Sequence, residues 1–304
     1  MTAQRIVPCL WLDCQAEEAA EFYARVLPAV RVTAVSRYPE APNDPSGRPR
    51  GSVLTVEFEA GGQCFTALNG GPAFSAGPSI SFFVHVDAPE EAERLCSALG
   101  RGGSPLMPFG AYPWSAGYAW VQDRFGVTWQ VIAGRRPAGG ADVVPCLMFS
   151  GSQRGRAEEA IRAYVRVFPG GRTESLECYA SGEGPAGLLK HGRFTLAGQP
   201  FVAMDSHVEN AFAFNEGISL QVMCRDQGEV DRYWASLSEG GEPGRCGWLK
   251  DRFGVSWQVV PIAIRSFMAS DDAEARGRAF EALLEMQKLD VARLQAAFDG
   301  RRAR

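Results

Sequence analysis

One nine-residue segment constrains this chain more than any other. Asp123-Arg124-Phe125-Gly126-Val127-Thr128-Trp129-Gln130-Val131 returns as Asp251-Arg252-Phe253-Gly254-Val255-Ser256-Trp257-Gln258-Val259, with Ser256 in place of Thr128 as the one exchange. Shorter echoes keep the same order: Pro8-Cys9-Leu10 with Pro145-Cys146-Leu147, Gly62-Gln63 with Gly198-Gln199, and Ile80-Ser81 with Ile218-Ser219. A repeat of this kind means that one structural unit is built twice. At 304 residues the chain is long enough for each unit to bury its own core.

Within a copy the hydrophobic period switches between two and 3.6. In the first copy an apolar strand at Ile6–Leu12 leads into a helix from Ala16, in which Ala19, Phe22, Tyr23 and Val26 share a face. Strands follow at 32–38, 52–60 and 64–69. The strand Ile80–Val86 opens a second unit, with a helix over 89–99 and strands at 118–123 and 128–132. Gly126 suits the turn between the last two. The second copy places helices near 157–168 and 228–237. The copies are expected to occupy residues 1–135 and 142–262, separated by a Gly- and Pro-rich linker over Gly134–Asp142, with a helical tail over 263–304. In that tail Phe280, Leu283, Leu284, Val291, Leu294 and Phe298 form a stripe, with Ser270 or Asp271 as the cap. It is expected to pack on its own domain or on a second subunit, so a homodimer is one expectation. The first copy carries about ten extra residues within Ser104–Ala119, rich in Pro, Phe, Tyr and Trp. They suit either a lid or, preferred here, a surface insertion packed on its own side chains.

Composition excludes several classes. The formal charge of -4, from 31 basic and 35 acidic residues without long runs, offers no footprint for nucleic acid or an anionic membrane. Apolar stretches fall short of a membrane span, so a cytoplasmic protein is expected. The eight cysteines include no CxxC pair and read as reduced core residues. Three histidines, His85, His191 and His207, form no metal-binding spacing. No Gly-rich turn of the kind that cradles a nucleotide-bearing cofactor joins a strand to a helix, and no cofactor is expected.

Phe214-Asn215-Glu216-Gly217-Ile218-Ser219, Asp226 through Trp234 and Cys246 through Gly254 resemble the PhnB-like family, also labelled demethylubiquinone methyltransferase-like, of the vicinal-oxygen-chelate (glyoxalase/bleomycin resistance/dioxygenase) superfamily. The resemblance covers both copies and continues through Met286-Gln287-Lys288-Leu289-Asp290. It implies an α+β fold of two tandem domains, each of paired βαβββ modules curled around a pocket, followed by the tail.

Metal enzymes of that superfamily draw ligands from the first and last strands of a module. Carried onto this chain, the positions fall at Pro8, Ser81 and Gln130 in the first copy and at Pro145, Ser219 and Gln258 in the second. Proline offers no side-chain ligand, serine is poor unless deprotonated, and a neutral amide adds no charge, so no bound metal is expected. Gln130 and Gln258 are candidates for orienting a ligand carbonyl or amine, with a purely structural role as the even alternative. His85 shares a strand face with Ser81 and is a candidate pocket residue or general base, although a satisfied core histidine is favoured. Its counterpart is Met223. Trp120, Trp129, Trp248 and Trp257 are expected to build core and pocket walls, Asp123-Arg124 and Asp251-Arg252 to stabilise turns, and Asp205 with His207 to lie in a solvated loop. The leading expectation is a metal-free small-molecule-binding protein with Ser81, His85, Gln130, Ser219 and Gln258 at its sites. The alternative is an enzyme: a metal-dependent lyase, isomerase or dioxygenase, or a methyltransferase as the family label suggests.

Overall fold

The computed structural model describes residues 4–41, 47–134, 142–207 and 212–301. The interior of the expected linker lies outside them. Four modules follow one another. The first comprises β1 (Ile6–Leu12), α1 (Ala16–Val26), β2 (Arg31–Arg37), β3 (Val53–Ala60) and β4 (Gln63–Asn69); the second β5 (Ile80–Val86), α2 (Pro89–Leu99), β6 (Ser104–Tyr112), β7 (Ser115–Gln122) and β8 (Thr128–Ala133). The third comprises β9 (Val143–Phe149), α3 (Ala157–Val167), β10 (Arg172–Cys178), β11 (Leu189–Leu196) and β12 (Gln199–Asp205); the fourth β13 (Ile218–Cys224), α4 (Gln227–Ser238), β14 (Glu242–Pro243), β15 (Trp248–Lys250) and β16 (Ser256–Pro261). The tail forms α5 (Ala263–Met268), α6 (Ala273–Glu285) and α7 (Val291–Phe298). Among the described residues no helix is long and apolar enough to cross a membrane.

Neither sheet belongs to one copy. Sheet I runs β14-β15-β16-β13-β1-β4-β3-β2 and joins the first module to the fourth; sheet II runs β10-β11-β12-β9-β5-β8-β7-β6 and joins the third to the second. The seams are antiparallel, β1 with β13 and β5 with β9, and their registers repeat: Cys9 faces Ser219 as Cys146 faces Ser81. The expected two tandem copies of paired βαβββ modules are present, and each sheet is completed by modules of both copies.

Side-chain alternation gives each sheet two faces. On the helix-covered face of the first copy, Tyr23, Phe58, Phe65, Phe82 and Trp129 form a continuous ring cluster with centroids 4.9–5.7 Å apart between neighbours. It packs sheet I against sheet II, and the buried helix residues Ala16, Ala19, Phe22 and Tyr23 supply its third wall. Burial of such rings is worth about 2–3 kcal/mol each. The turns at Gly126 and Gly254 need φ of +85° and +83°, the left-handed region that glycine enters without a Cβ clash.

The extra residues of the first copy are not a loop, though they pack partly on their own side chains, Tyr112 stacking on Trp114 at 5.0 Å. They are strand β6, which pairs with β7 as the bulged edge of sheet II, and Met107 and Tyr112 pack onto that sheet's concave cluster. The tail is capped by Asp272, one or two residues after the expected cap, and by Asp290. Of the cysteines, Cys9, Cys96, Cys146 and Cys224 are buried, Cys64 and Cys246 half-buried, and Cys14 and Cys178 exposed, so the core reading holds for only part of the set.

Candidate functional site

The concave face of sheet I carries a ribbon of neutral polar side chains. Cys9 on β1, Thr66 on β4, Ser219 and Gln221 on β13 and Gln258 on β16 sit side by side because their strands are neighbours in register. Thr66 Oγ1 donates to Gln221 Oε1 at 2.9 Å, Gln221 Nε2 to Gln258 Oε1 at 3.2 Å, and Gln258 Nε2 to Ser219 Oγ at 2.8 Å. The Cys9 thiol is hydrogen-bonded by Gln258 and Ser219, yet burial dominates and pushes it up to about 12. It remains a thiol at neutral pH.

Two hollows flank the ribbon. One, of about 340 Å³, is lined by Val7, Thr33 and Cys64 together with Arg31, Glu57, Glu59 and Arg265 of the tail. The other, of about 140 Å³, lies against Trp248, Lys250, Glu216 and Ser256, whose buried Oγ has no hydrogen-bond partner. Trp11 stands edge-on to Trp248 at 5.7 Å and to Phe74 at 5.0 Å.

The same positions of sheet II are filled. Gln130 Nε2 again donates to Ser81 Oγ at 2.8 Å, and Cys146, bonded by both, is again pushed up to about 12 by burial. Here, however, Tyr118 donates its hydroxyl to Gln130 Oε1 at 2.7 Å, while Phe83 and Val202 stand where sheet I has Gln221 and Thr66. Phe83, Tyr118, Val144, Cys146 and Val202 form a buried cluster against Met107, Tyr112, Trp120, Ile132 and Met204. His85 stacks on Phe83 at 6.0 Å and His191 meets the same ring edge-on at 6.1 Å. Burial, then Arg193, holds His191 below the usual imidazole range.

The expected ligand sets are thus regrouped. Ser219 and Gln258 share a face with Cys9 of the other copy, and Ser81 and Gln130 with Cys146. Pro8 and Pro145 are one residue out of phase, on the helix-covered face with Ile6 and Leu10 or Val143 and Leu147. His85 looks onto the packed concave face of sheet II. Asp205 is not solvated: 2% exposed, it accepts from Gly155, Ala157 and Leu189 N–H groups and positions the start of α3, as Asn69 does for α1. His207 is exposed.

Asp123 accepts from Phe125 N and Val127 N through one oxygen and from Tyr23 and Trp129 through the other; Asp251 repeats this with Phe253, Val255, Tyr164 and Trp257. Their arginine neighbours point elsewhere, Arg124 to Glu18 and Arg252 to Glu159. Trp129 and Trp257 are core, whereas Trp120 and Trp248 stand half-buried on the concave faces.

A family model described as 3-demethylubiquinone-9 3-methyltransferase matches residues 4–132 and again 141–260. The chain belongs to that family. Among solved structures, a PhnB protein from Bacillus cereus, described as a 3-demethylubiquinone-9 3-methyltransferase, is 30% identical over 43% of this chain and 100% of its own, with a TM-score of 0.39. A protein from Pseudomonas aeruginosa is 29% identical over 44% of this chain and 100% of its own, TM-score 0.37. Glyoxalase I from Zea mays is 13% identical over 82% of this chain and 89% of its own, TM-score 0.51, a likeness of fold. No curated protein matches.

In this PhnB-like chain of the vicinal-oxygen-chelate fold, sequence reasoning missed Cys9, Cys146, Thr66 and Gln221. The Pro-Cys-Leu echo held the signal for the cysteines, since it marks a strand position kept in both copies. Thr66 and Gln221 differ between copies, so the repeat could not point to them.

Proposed function

We propose that the chain is a metal-free small-molecule-binding protein whose working site is the concave face of sheet I, taking a neutral, partly aromatic molecule that carries a carbonyl or hydroxyl group. One observation carries this reading: Thr66 and Gln221 extend the amide ribbon of sheet I where Val202 and Phe83 fill sheet II. Amides both donate and accept, so they orient an uncharged polar group without a counter-charge, and Trp11 and Trp248 offer ring faces beside them. The donor set suits a divalent cation poorly. A serine hydroxyl and neutral amides bring no negative charge to it, and the Cys9 thiol is the one group of the ribbon that could supply any.

Quenching of tryptophan fluorescence by 2-acetylnaphthalene and related neutral aromatic ketones tests the reading. Gln221→Leu and Gln258→Leu are expected to weaken binding at least about tenfold, roughly 1.4 kcal/mol, and Gln130→Leu to change it little. Equal losses in Gln130→Leu, or stoichiometric metal in the purified protein that disappears in Gln258→Leu, would overturn it.

A further inference from the structure

We propose that α5–α7 form a hinged cover over the concave face of sheet I, latched to the first copy through Arg265 and Gly277, and that its opening admits the ligand. The inference rests on sheet I as the working site. The tail has a hydrophobic cluster of its own, Phe267, Ala279, Met286, Leu289 and Leu294, separate from the main core. Most of its apolar side chains are satisfied within that cluster, so it can move as a body while exposing chiefly Phe280 and Ala275, which are buried outside it.

Its two sides are held differently. Toward β15 the attachment includes backbone pairing: Cys246 N donates to Met286 O at 2.7 Å and Gly247 N to Gln287 O at 2.8 Å. Gln227 adds bonds to Leu289 O and from Val291 N, and Lys288 pairs with Asp231. Toward β2 and β3 the contacts include an Arg265–Glu57 ion pair at 3.0 Å, the edge of Tyr38 against the buried Phe280 at 6.2 Å, and α6 resting on the Glu40 carbonyl at Gly277. A half-exposed ion pair is worth about 0–1 kcal/mol and burial of the Phe280 ring about 2–3, and among the described residues no backbone bond ties this side as two tie the other. The first side is the hinge and the second the latch.

Beneath the latch lies the 340 Å³ hollow, with Arg265 on its rim and Cys64 on its floor. Glu59, Arg265, Glu57 and Arg31 all act electrostatically on the Cys64 thiol, which places it amid the four charges and makes it a reporter of access.

The test follows Cys64 in the full-length protein by peptide-resolved mass spectrometry, comparing a bulky thiol reagent, fluorescein-5-maleimide, with the small iodoacetamide. A Cβ at position 277 would clash with the Glu40 carbonyl, so Gly277→Ala should lift α6 without touching the charges around the thiol. It is expected to raise the bulky-to-small rate ratio at Cys64 about tenfold while the ratio at exposed Cys14 stays constant. Arg265→Gln should move the ratio the same way and Arg265→Lys should restore it. Ratios at the parent's value in both Gly277→Ala and Arg265→Gln would overturn the cover. So would a rise accompanied by loss of amide protection throughout α6 and α7, which signals melting rather than hinge motion. No ligand is present in this experiment, so its failure leaves the Gln221 and Gln258 binding test standing, and the reverse also holds.

Discussion

Asp123 and Asp251 each satisfy four donors from one buried carboxylate, two turn amides, a tyrosine hydroxyl and an indole N–H. Replacement by Asn turns one acceptor into a donor that faces the Trp129 or Trp257 N–H, and that N–H cannot reverse. Asp123→Asn and Asp251→Asn should each lower stability by about 2–4 kcal/mol in urea titrations. Burial holds both carboxyls above the usual range, so the native state takes up their protons before the unfolded chain does; the stability linked to them is present at low pH and declines as pH rises through the folded pKa. Glu229 has the opposite sign. Burial pushes it up, but Arg225 and Arg5 outweigh that and hold it at about 2, so its contribution is present above the ordinary carboxylate value of 4.5 and is lost as pH falls from there toward 2. The arginine heads reach solvent and screen the pair, so the loss should be roughly 1–2 kcal/mol. Stability curves of Glu229→Gln should be flatter than the parent's over that window; a parallel curve would show that the acid loss arises elsewhere. At this scale the turn role of the aspartates was legible from their place before a Gly turn. The site partners were not: a count that slips by one residue moves a strand side chain to the opposite face, which is why Pro8 was read for Cys9.

The α1, α2, α3 and α4 helices were legible because Ala19 and Tyr23, Ala92, Leu95 and Leu99, Ala157, Ala160 and Tyr164, and Val230, Tyr233 and Leu237 recur at helical spacing with acidic residues in the first turns. Strand β6 was not, because Pro105 and Pro108 read as breakers. It is an edge strand, and an edge tolerates residues that lack an N–H on the side that pairs with nothing. Its role is to supply Met107 and Tyr112 to the concave cluster of sheet II. Shortening β6 and its turn toward the two-residue β14 of the second copy should uncover Phe83 and Trp120, and 8-anilinonaphthalene-1-sulfonate fluorescence should rise. Unchanged dye binding would mean that the cluster closes without the hairpin.

Pairing between copies was the least legible feature, because it depends on contacts between strands far apart in the chain, such as Val84 with Val143 and Ile6 with Val222, which no local period records. β1 meets β13 and β5 meets β9 in the same register, Cys9 with Ser219 and Cys146 with Ser81, so the molecule has a pseudo-twofold arrangement in which each copy offers both seam edges. An isolated first copy, Met1 to Gly134, would expose β1 and β5 as unpaired central edges, and the repeat makes those two edges complementary to each other in a second molecule. That fragment should therefore run as a dimer by light scattering, with Cys9 set against Ser81 of its mate, and should lack the ribbon of sheet I because Gln221 resides on β13 and Phe83 takes its place. A stable monomer would mean that the copy's own core suffices without the seam. A dimer that fails to bind the aromatic ketones would trace the binding site to sheet I, whose Thr66 and Gln221 come from different copies, Gln221 having no counterpart in the fragment.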